Sequence, residues 1–472
     1  MKISTTKTTL ILVTMLYLTA CGGGGGGSSS GSSGIGDQVQ GVWERRGYGY
    51  VIDVSGSNYT GYDFTSKTCY RHEKTNLDEL VRRFDNMSAD NESFTVRDAP
   101  TGFVDTFYRT EGVPAVCQSP IGLVPQEVFD HVWHTFNEYY AFFEERQVDW
   151  LAQYDATRDR VSNDMSEDAL FNVLVDLVAP IDDVHVSIAM DDEQSYSPGN
   201  PKGFIEDFTM EFEAQSEIRS LEAYIERELG SALSIIDDVY LGGEFSEGGG
   251  PTDDFFKWGF IDDHIGYLSI GAFILQLDRA IADQYPEVED VMDSALTDLA
   301  SANSLIIDVR LSPGGADPIA LAIANRFADA QRLAISKYSR SVEGEGEIQE
   351  AYVEPTSRIG FSGPVAVLTS GFSASATESF VLAMGSLPQV TVVGERTIGA
   401  LSDILEKPLP NDWSFGLANE VYSDAQGLSF EALGIPPHIQ VPAFAKKERD
   451  IGRDSALNAA LSVLGANVAN QR

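Results

Sequence analysis

PVAVLTSGFSASATESFVLAM, residues Pro364 to Met384, is the stretch whose reading decides the fold. Val365 to Leu368 form an apolar, β-branched run of buried-strand length, and from about Ser373 small residues lead into an apolar helix. A strand–turn–helix of this kind sets a serine at a helix N-terminus, where unbonded backbone N–H groups favour negative charge. A developing oxyanion needs that environment, which makes Ser375 a candidate nucleophile. Ser375-x-x-Glu378 also fits a capping box, in which serine and glutamate satisfy orphan N–H groups reciprocally. On this stretch alone both readings stand.

Outward from it, Ser304 to Val309 (SLIIDV) reads as a buried strand running through Arg310 into Leu311-Ser-Pro-Gly-Gly315. Pro-Gly-Gly at a strand end lets backbone approach another chain closely and turns N–H groups toward a ligand, and it equally makes an ordinary tight turn. Val393-Gly-Glu-Arg-Thr-Ile-Gly399 is a second glycine-punctuated strand end, and Glu431-Ala-Leu-Gly-Ile-Pro-Pro437 sets an acid beside a Gly–Pro turn. From Phe255 the pattern alternates. HIGYLSIGAF is a strand, Ala280–Ser301 helical, SLIIDV a strand and Pro318–Ala328 helical. LAISKYS, PVAVLT and VTVVGE follow as strands, and Asp454–Leu464 closes with a helix. Alternating elements of these lengths predict an α/β core.

These motifs, in this order over about Phe255–Ala443, resemble the C-terminal-processing (tail-specific) serine peptidases of the ClpP/crotonase-like fold. The matching signals are GYLSIGAF, LIIDVRLSPGG, PVAVLTSGFSASATESF, VVGERTIG, Leu409-Pro410 and EALGIPPHIQV. The resemblance implies an α/β core of ClpP/crotonase-like β-β-α units, with Ser375 as nucleophile and Gly315 and the N–H of Ala376 lining an oxyanion hole. The best-known branch of that family carries a general-base lysine after a Thr-x-Gly motif. Here Thr397-Ile-Gly399 is followed by Ala400, and Thr391 to Glu406 contains no lysine; Lys337 and Lys407 lie off the motif. The branch containing the tricorn core and the interphotoreceptor retinoid-binding protein instead carries a histidine in a Leu-x-Asp-x-His-like motif, similar to Pro180-Ile-Asp182-Asp183-Val-His185. That resemblance makes His185 the base and Glu431 the acid completing the site. A serine precedes the histidine in the tricorn arrangement, whereas Val184 stands here, so either the relay is shorter or Asp183 or Glu431 orients the imidazole directly. His131 and His134 are spaced i,i+3 without a third ligand, so no metal is expected, and no cofactor.

Upstream, residues 120–254 read as a helical domain with a linker. Val128, Val132, Phe136, Tyr139 and Tyr140 share one helical face and Leu170, Val173, Leu174 and Leu177 another; residues 203–236 add one or two helices, and Gly242–Asp254 is a loop. Residues 37–119 carry short aromatic and β-branched runs between Gly, Asn, Asp and Ser, a small β-rich domain. The peptidase core is assigned to 255–447 and a helical tail to 448–472.

Residues 1–20 carry Lys2, Lys7, no acid and an apolar run from Leu10 to Leu18, a signal peptide too short to span a membrane. Leu18-Thr-Ala-Cys21 resembles a bacterial lipobox, with Cys21 as the lipidated residue and a Gly/Ser tether to residue 36. The expected location is the bacterial cell envelope, lipid-anchored at the outer membrane and facing the periplasm or the surface. Cys69 and Cys117 remain as an even pair in an oxidising setting, a candidate disulfide. The net charge of −40, with acids spread along the chain, argues against nucleic acid or an anionic surface as partner. The expected activity is hydrolysis of a peptide or unfolded polypeptide near its C-terminus through an acyl-enzyme; oligomeric state is not legible. Two other readings stay open: a catalytically silent lipoprotein binding peptides or apolar ligands on the same scaffold, and an adhesin function for the β-rich domain.

Overall fold

Val365–Thr369 is buried along its whole length because it lies inside a seven-stranded sheet. The order across that sheet is Phe245–Glu247, Phe256–Asp262, Ile265–Ile270, Ser304–Asp308, Val365–Thr369, Val390–Gly394 and Ile439–Gln440. Strands from Ile265 onward run parallel, while the first two join as antiparallel neighbours. Parallel strands covered on both faces need apolar residues along their middle, which is why Leu305–Ile307 and Val365–Leu368 are unbroken apolar runs. Leu305, Ile307, Val365 and Val367 pack with Met292, Ile319 and Phe380 from the helices Ile281–Asp298, Asp317–Asn325 and Ala376–Gly385. Ile306, Ala366 and Leu368 face the other way, against Ile236, Leu457 and Leu461. The computed structural model describes residues 33–190, 194–277, 279–410 and 412–465. The signal segment, Cys21 and residues 22–32 of the Gly/Ser tether lie outside the described residues; the rest of the tether opens the short helix Ser33–Gln38.

The mixed α/β class expected for the core is what the chain adopts. Among the strands that escaped the sequence reading are Ser414–Ala418 and Glu420–Ser423. Their run SFGLANEVYS is interrupted by Gly416 and Asn419, which mask its alternation. Ser414–Ala418 matters most. It pairs on one side with Ile404–Pro408 and on the other with Ser187–Ala189 from the helical block. The helical block comprises Pro125–Tyr139, Trp150–Thr157 and Glu167–Val178, whose apolar faces share one core with Phe415, Leu417 and Trp413. Two further helices, Lys202–Glu213 and Leu221–Ile235, occupy the 203–236 segment.

Residues 41–110 form a seven-stranded antiparallel sheet around Trp43, Ile52, Phe94 and Phe107. Cys69, at the start of the strand Cys69–Asn76, is disulfide-bonded to Cys117 in the short helical turn Ala115–Gln118. The bridge spans 48 residues, so reducing it releases a long loop in the unfolded chain. Reduction, or the paired Cys69→Ala/Cys117→Ala change, is expected to lower unfolding free energy by about 2–4 kcal/mol. Urea denaturation with and without reductant measures this, and an unchanged midpoint contradicts it.

Candidate active site

The turn after Val365–Thr369 is tied down by its own small hydroxyls. Ser370 Oγ donates to the carbonyl of Arg310 (2.6 Å), Ser373 Oγ to that of Val309 (2.9 Å), and Thr377 Oγ1 lies 2.8 Å from Ser312 Oγ. SGFSAS is therefore serine-rich because its short side chains bond the backbone leaving the neighbouring strand. The result is a sharp corner with Ser375 at its tip, φ 57° and ψ −129°, an unusual conformation for a residue with a Cβ. Two bonds on its N–H hold it there, to the carbonyl of Ala400 (3.0 Å) and to Glu378 Oε2 (3.2 Å).

Glu378 is the capping-box acid, and it does more than cap. Its carboxylate also accepts from Thr397 Oγ1 (2.6 Å) and from the N–H groups of Gly399 (2.9 Å) and Ala400 (2.8 Å). Burial pushes this carboxyl up to about 7 despite the four donors. The glutamate thus binds the Thr-Ile-Gly-Ala turn to the start of the Ser375 helix.

The Pro-Gly-Gly turn comes against the same corner. Gly314 has φ +120°, and a Cβ there would stand 2.6 Å from the Ser375 Cβ and 3.2 Å from the Ala376 nitrogen. Gly315 has φ +142° and is held by a one-residue bridge to Phe273. Neither the Gly315 nor the Ala376 N–H has an acceptor among the described residues. Those two free donors beside a serine at a helix N-terminus are the elements of an oxyanion hole. The sequence reading took Gly315 from the motif and missed Gly314, the glycine in contact with the serine.

His185 arrives from the helical block. The pairing of Ser187–Ala189 with Ser414–Gly416 carries it onto the core, and Gly199 packs flat on the Asp183–Val184 peptide, where a Cβ would come within 2.1 Å. His185 and Ser375 line one cavity of about 340 Å3, together with Gly314 and Gly315. The imidazole is buried, with Nδ1 lacking a hydrogen-bond partner among the described residues, and no hydrogen bond joins it to Ser375. Burial lowers its pKa below the ordinary 6.5, with Asp183 opposing and Arg146 reinforcing the shift.

The two carboxylates expected to orient the imidazole do something else. Asp183 Oδ1 accepts from the His185 backbone N–H (2.9 Å), and Oδ2 accepts from the Tyr140 hydroxyl (2.8 Å) and lies 3.3 Å from Arg146 Nε. Glu431 accepts from Arg146 Nη2 (2.8 Å) and from the N–H groups of Leu401 (2.8 Å) and Ser402 (3.2 Å). A guanidinium outcompetes a neutral imidazole for both acids, so each fixes a backbone segment and neither touches the ring. Burial and the nearby Asp183 push the Glu431 carboxyl up to about 8. Arg146 also donates to the carbonyls of Asp182 and Gly399, clamping the histidine loop to the core. The sequence reading placed Tyr140 on an apolar helix face and did not name Arg146. Arg146 stands among Glu144, Glu145 and Asp149, where a surface ion pair is the ordinary reading.

No lysine lines this cavity among the described residues. Lys337 is bonded to Glu420 (2.9 Å) and Tyr422 Oη (3.2 Å). Burial works against its charge, but the Glu420, Asp403 and Asp317 carboxylates outweigh it and raise the pKa. Lys407 is spent on Asp63 and the carbonyls of Tyr48 and Gly49.

The chain is similar in sequence and fold to known proteins. Family models for Peptidase family S41 and for the Tricorn protease C1 domain match residues 264–441 and 125–179. A carboxy-terminal-processing protease of Bartonella bacilliformis is 25% identical over 184 residues, 38% of this chain and 39% of that relative's length. Among solved structures, one from Parabacteroides merdae is 26% identical, covering 73% of this chain and 98% of its own, at a TM-score of 0.57. The structure of mature CPAF shares the fold at 12% identity and a TM-score of 0.51, over 72% of this chain and 96% of its own.

Proposed function

We propose that this chain, which belongs to peptidase family S41 through residues 264–441, is an exported lipid-anchored serine peptidase that cleaves polypeptides near their C-termini. The observation that carries the reading is the meeting, in one cavity, of a strained helix-N-terminal serine, a buried histidine and a glycine turn with free N–H groups. Ser375 Oγ attacks the scissile carbonyl carbon while His185 takes its proton. The Gly315 and Ala376 N–H groups hold the oxyanion, and the imidazolium returns the proton to the leaving amine. Water then hydrolyses the acyl-enzyme by the same proton path. Apo sites of this kind commonly tighten the base–nucleophile contact only when substrate is bound. Asp183, Glu431 and Arg146 act as positioning groups for the histidine loop. The likeness to a carboxy-terminal-processing protease supports the C-terminal preference, and the Cys21 motif supports the anchor in the bacterial envelope.

A second reading, a silent peptide- or apolar-ligand-binding lipoprotein, is favoured by one observation: the two side chains are not hydrogen-bonded to each other. Labelling with a serine-directed fluorophosphonate separates the two readings. Wild-type protein is expected to label and Ser375→Ala and His185→Ala to lose labelling; equal or absent labelling in all three contradicts a working site.

The base must be neutral to accept the serine proton. Because burial lowers the His185 pKa, the neutral form persists as pH falls past 6.5. The acid limb of kcat/KM for a Ser375-dependent peptide substrate is therefore expected below pH 6.5. A limb above that value assigns the titration to another group.

A further inference from the structure

The cleft around Ser375 continues beyond the His185 cavity. A second cavity, also of about 340 Å3, adjoins the first, and Ile274, Gly315, Ser375 and Asp403 line both. The serine therefore stands where two spaces meet, as an extended chain passing over a nucleophile requires. The far wall of the second space belongs to the N-terminal sheet, through Arg45, Arg97 and Phe103. That domain reaches the site by the loop between its strands Ser93–Val96 and Asp105–Thr110. Thr101 Oγ1 donates to the carbonyl of Pro318 (2.6 Å), in the first turn of the helix that follows Gly314 and Gly315. Gly102 lies against the Pro318 ring, where a Cβ would stand 3.1 Å away. Phe103 meets the Tyr422 ring edge-on, 5.9 Å between centroids, and Lys337 Nζ lies 4.4 Å from the Phe103 centroid. These contacts hold the Phe103 ring, partly buried, as one side of the cavity that contains Ser375.

Charge in this second cavity is balanced, since its lining holds four bases and four acids. Arg45 pairs with Asp105 (2.5 Å), Arg83 with Asp98 (2.7 Å) and Arg97 with Asp85 (2.6 Å). Lys337 is bonded to Glu420 (2.9 Å) and faces the carboxylates of Asp317 and Asp403. An incoming ion would lose its hydration here without gaining an uncompensated partner. What the lining leaves free is apolar: Phe103, Ile274 and Ile281, each partly exposed in the same space as Ser375.

We infer that the N-terminal domain completes the substrate cleft, and that Phe103, with Ile274 and Ile281, receives an apolar side chain of the polypeptide across the scissile bond from the His185 cavity. The inference rests on the peptidase reading of the same site and gives the β-rich domain a part in substrate selection. An aliphatic or aromatic side chain seated there exchanges water for the three apolar walls. Lysine or glutamate in the same place gives up hydration to charges that are already neutralised.

The test uses the full chain and internally quenched peptides of one alanine–serine frame, with product masses locating the cleaved bond. Each of three positions on either side of that bond carries in turn Ala, Leu, Phe, Lys or Glu. At one position the Leu:Ala and Phe:Ala ratios of kcat/KM are expected at about 10–100 for wild type, the discrimination of a buried apolar side chain. Lys and Glu should do no better there than Ala. Phe103→Ala should bring the apolar ratios at that position to near one, Phe103→Leu should retain most of them, and Ile281→Ala should lower them several-fold. Leu277→Ala, in the His185 cavity, should act on a position across the scissile bond and leave this one alone. Ratios within one preparation do not depend on how much of a variant is folded. Binding of the same peptides to Ser375→Ala, read by fluorescence anisotropy, with and without Phe103→Ala, reports the subsite without catalysis. Cleavage with no apolar preference, or a preference that survives both Phe103→Ala and Ile281→Ala, overturns the inference and leaves the peptidase reading intact. So does a single position that Phe103→Ala and Leu277→Ala shift alike. Apolar-selective binding that needs Phe103, without Ser375-dependent cleavage in wild type, sinks the peptidase reading and keeps the subsite; binding without preference in a protein that cleaves nothing sinks both.

Discussion

Gly314→Ala is expected to lower kcat/KM by about 10²–10³ or more while leaving the far-ultraviolet circular dichroism of the chain unchanged. A new methyl would sit 2.6 Å from the Ser375 Cβ and 2.9 Å from the carbonyl oxygen of Ala374, and both contacts are closer than carbon atoms tolerate. The corner cannot yield easily, since Ser375 is pinned through Ala400 and Glu378 and the turn through Ser370 and Ser373. Something must shift, by an amount of order an ångström, and the parts nearest are the nucleophile and the two oxyanion donors. A misplacement of that size costs about a hundredfold, and losing one oxyanion donor costs about 10²–10³. The backbone conformation alone is not the cause, and a control shows it. Gly344 has nearly the same φ, +119°, on a hairpin with nothing within 4 Å of its would-be Cβ. Gly344→Ala should therefore show the cost of backbone strain without the loss of rate. Fluorophosphonate labelling rates and kcat/KM for the three proteins check this. Retention of more than a tenth of wild-type activity by Gly314→Ala would mean that the PGG turn is not part of the catalytic corner.

The contrast between Ser375 and Arg146 shows what a sequence exposes and what it hides. Ser375, Gly315 and Glu378 sit in short, ordered motifs at strand ends, where unbroken apolar runs followed by glycine or serine declare a buried strand and its turn. His185 is nearly 200 residues from the serine, and residue pattern alone does not distinguish it from His131, an equally buried histidine bonded to Thr68. Only the likeness of its Ile-Asp-Asp-Val-His register to a known branch, with the absent lysine, singled it out. What physically unites the two is the strand Ser414–Ala418, which the periodicity did not reveal. The two candidate orienting acids bond elsewhere for a related reason. Asp183 and Glu431 are near the histidine loop, but the identity of a carboxylate's partner is set by which donor reaches it, and Arg146 reaches both. Its neighbours in sequence are exposed acids, so nothing local marks it as buried.

Arg146→Gln is expected to destabilise the chain by about 3–5 kcal/mol at pH 9, the cost of leaving a buried carboxylate without its cation. The effect should be smaller at pH 5. The carboxyl of Glu431 is raised from 4.5 to about 8 by burial and by Asp183, with Arg146 lowering it. A raised carboxyl contributes stability that is complete below its ordinary value and is lost as pH rises through the folded one. Without Arg146 the folded value climbs further, so in the variant that loss continues beyond pH 8 while wild type has reached its limit. Urea midpoints of both proteins at pH 5 and pH 9 measure the difference, and an equal gap at the two values contradicts the account. Adding Glu431→Gln removes the buried charge and should restore much of the stability at pH 9. It should not restore kcat/KM, because the links from Arg146 to the Asp182 and Gly399 carbonyls and to Asp183 remain cut. Stability then reports the uncompensated charge and activity reports the clamp on the histidine loop. Recovery of both together would make Arg146 a purely electrostatic partner of Glu431 and remove it from the positioning of His185.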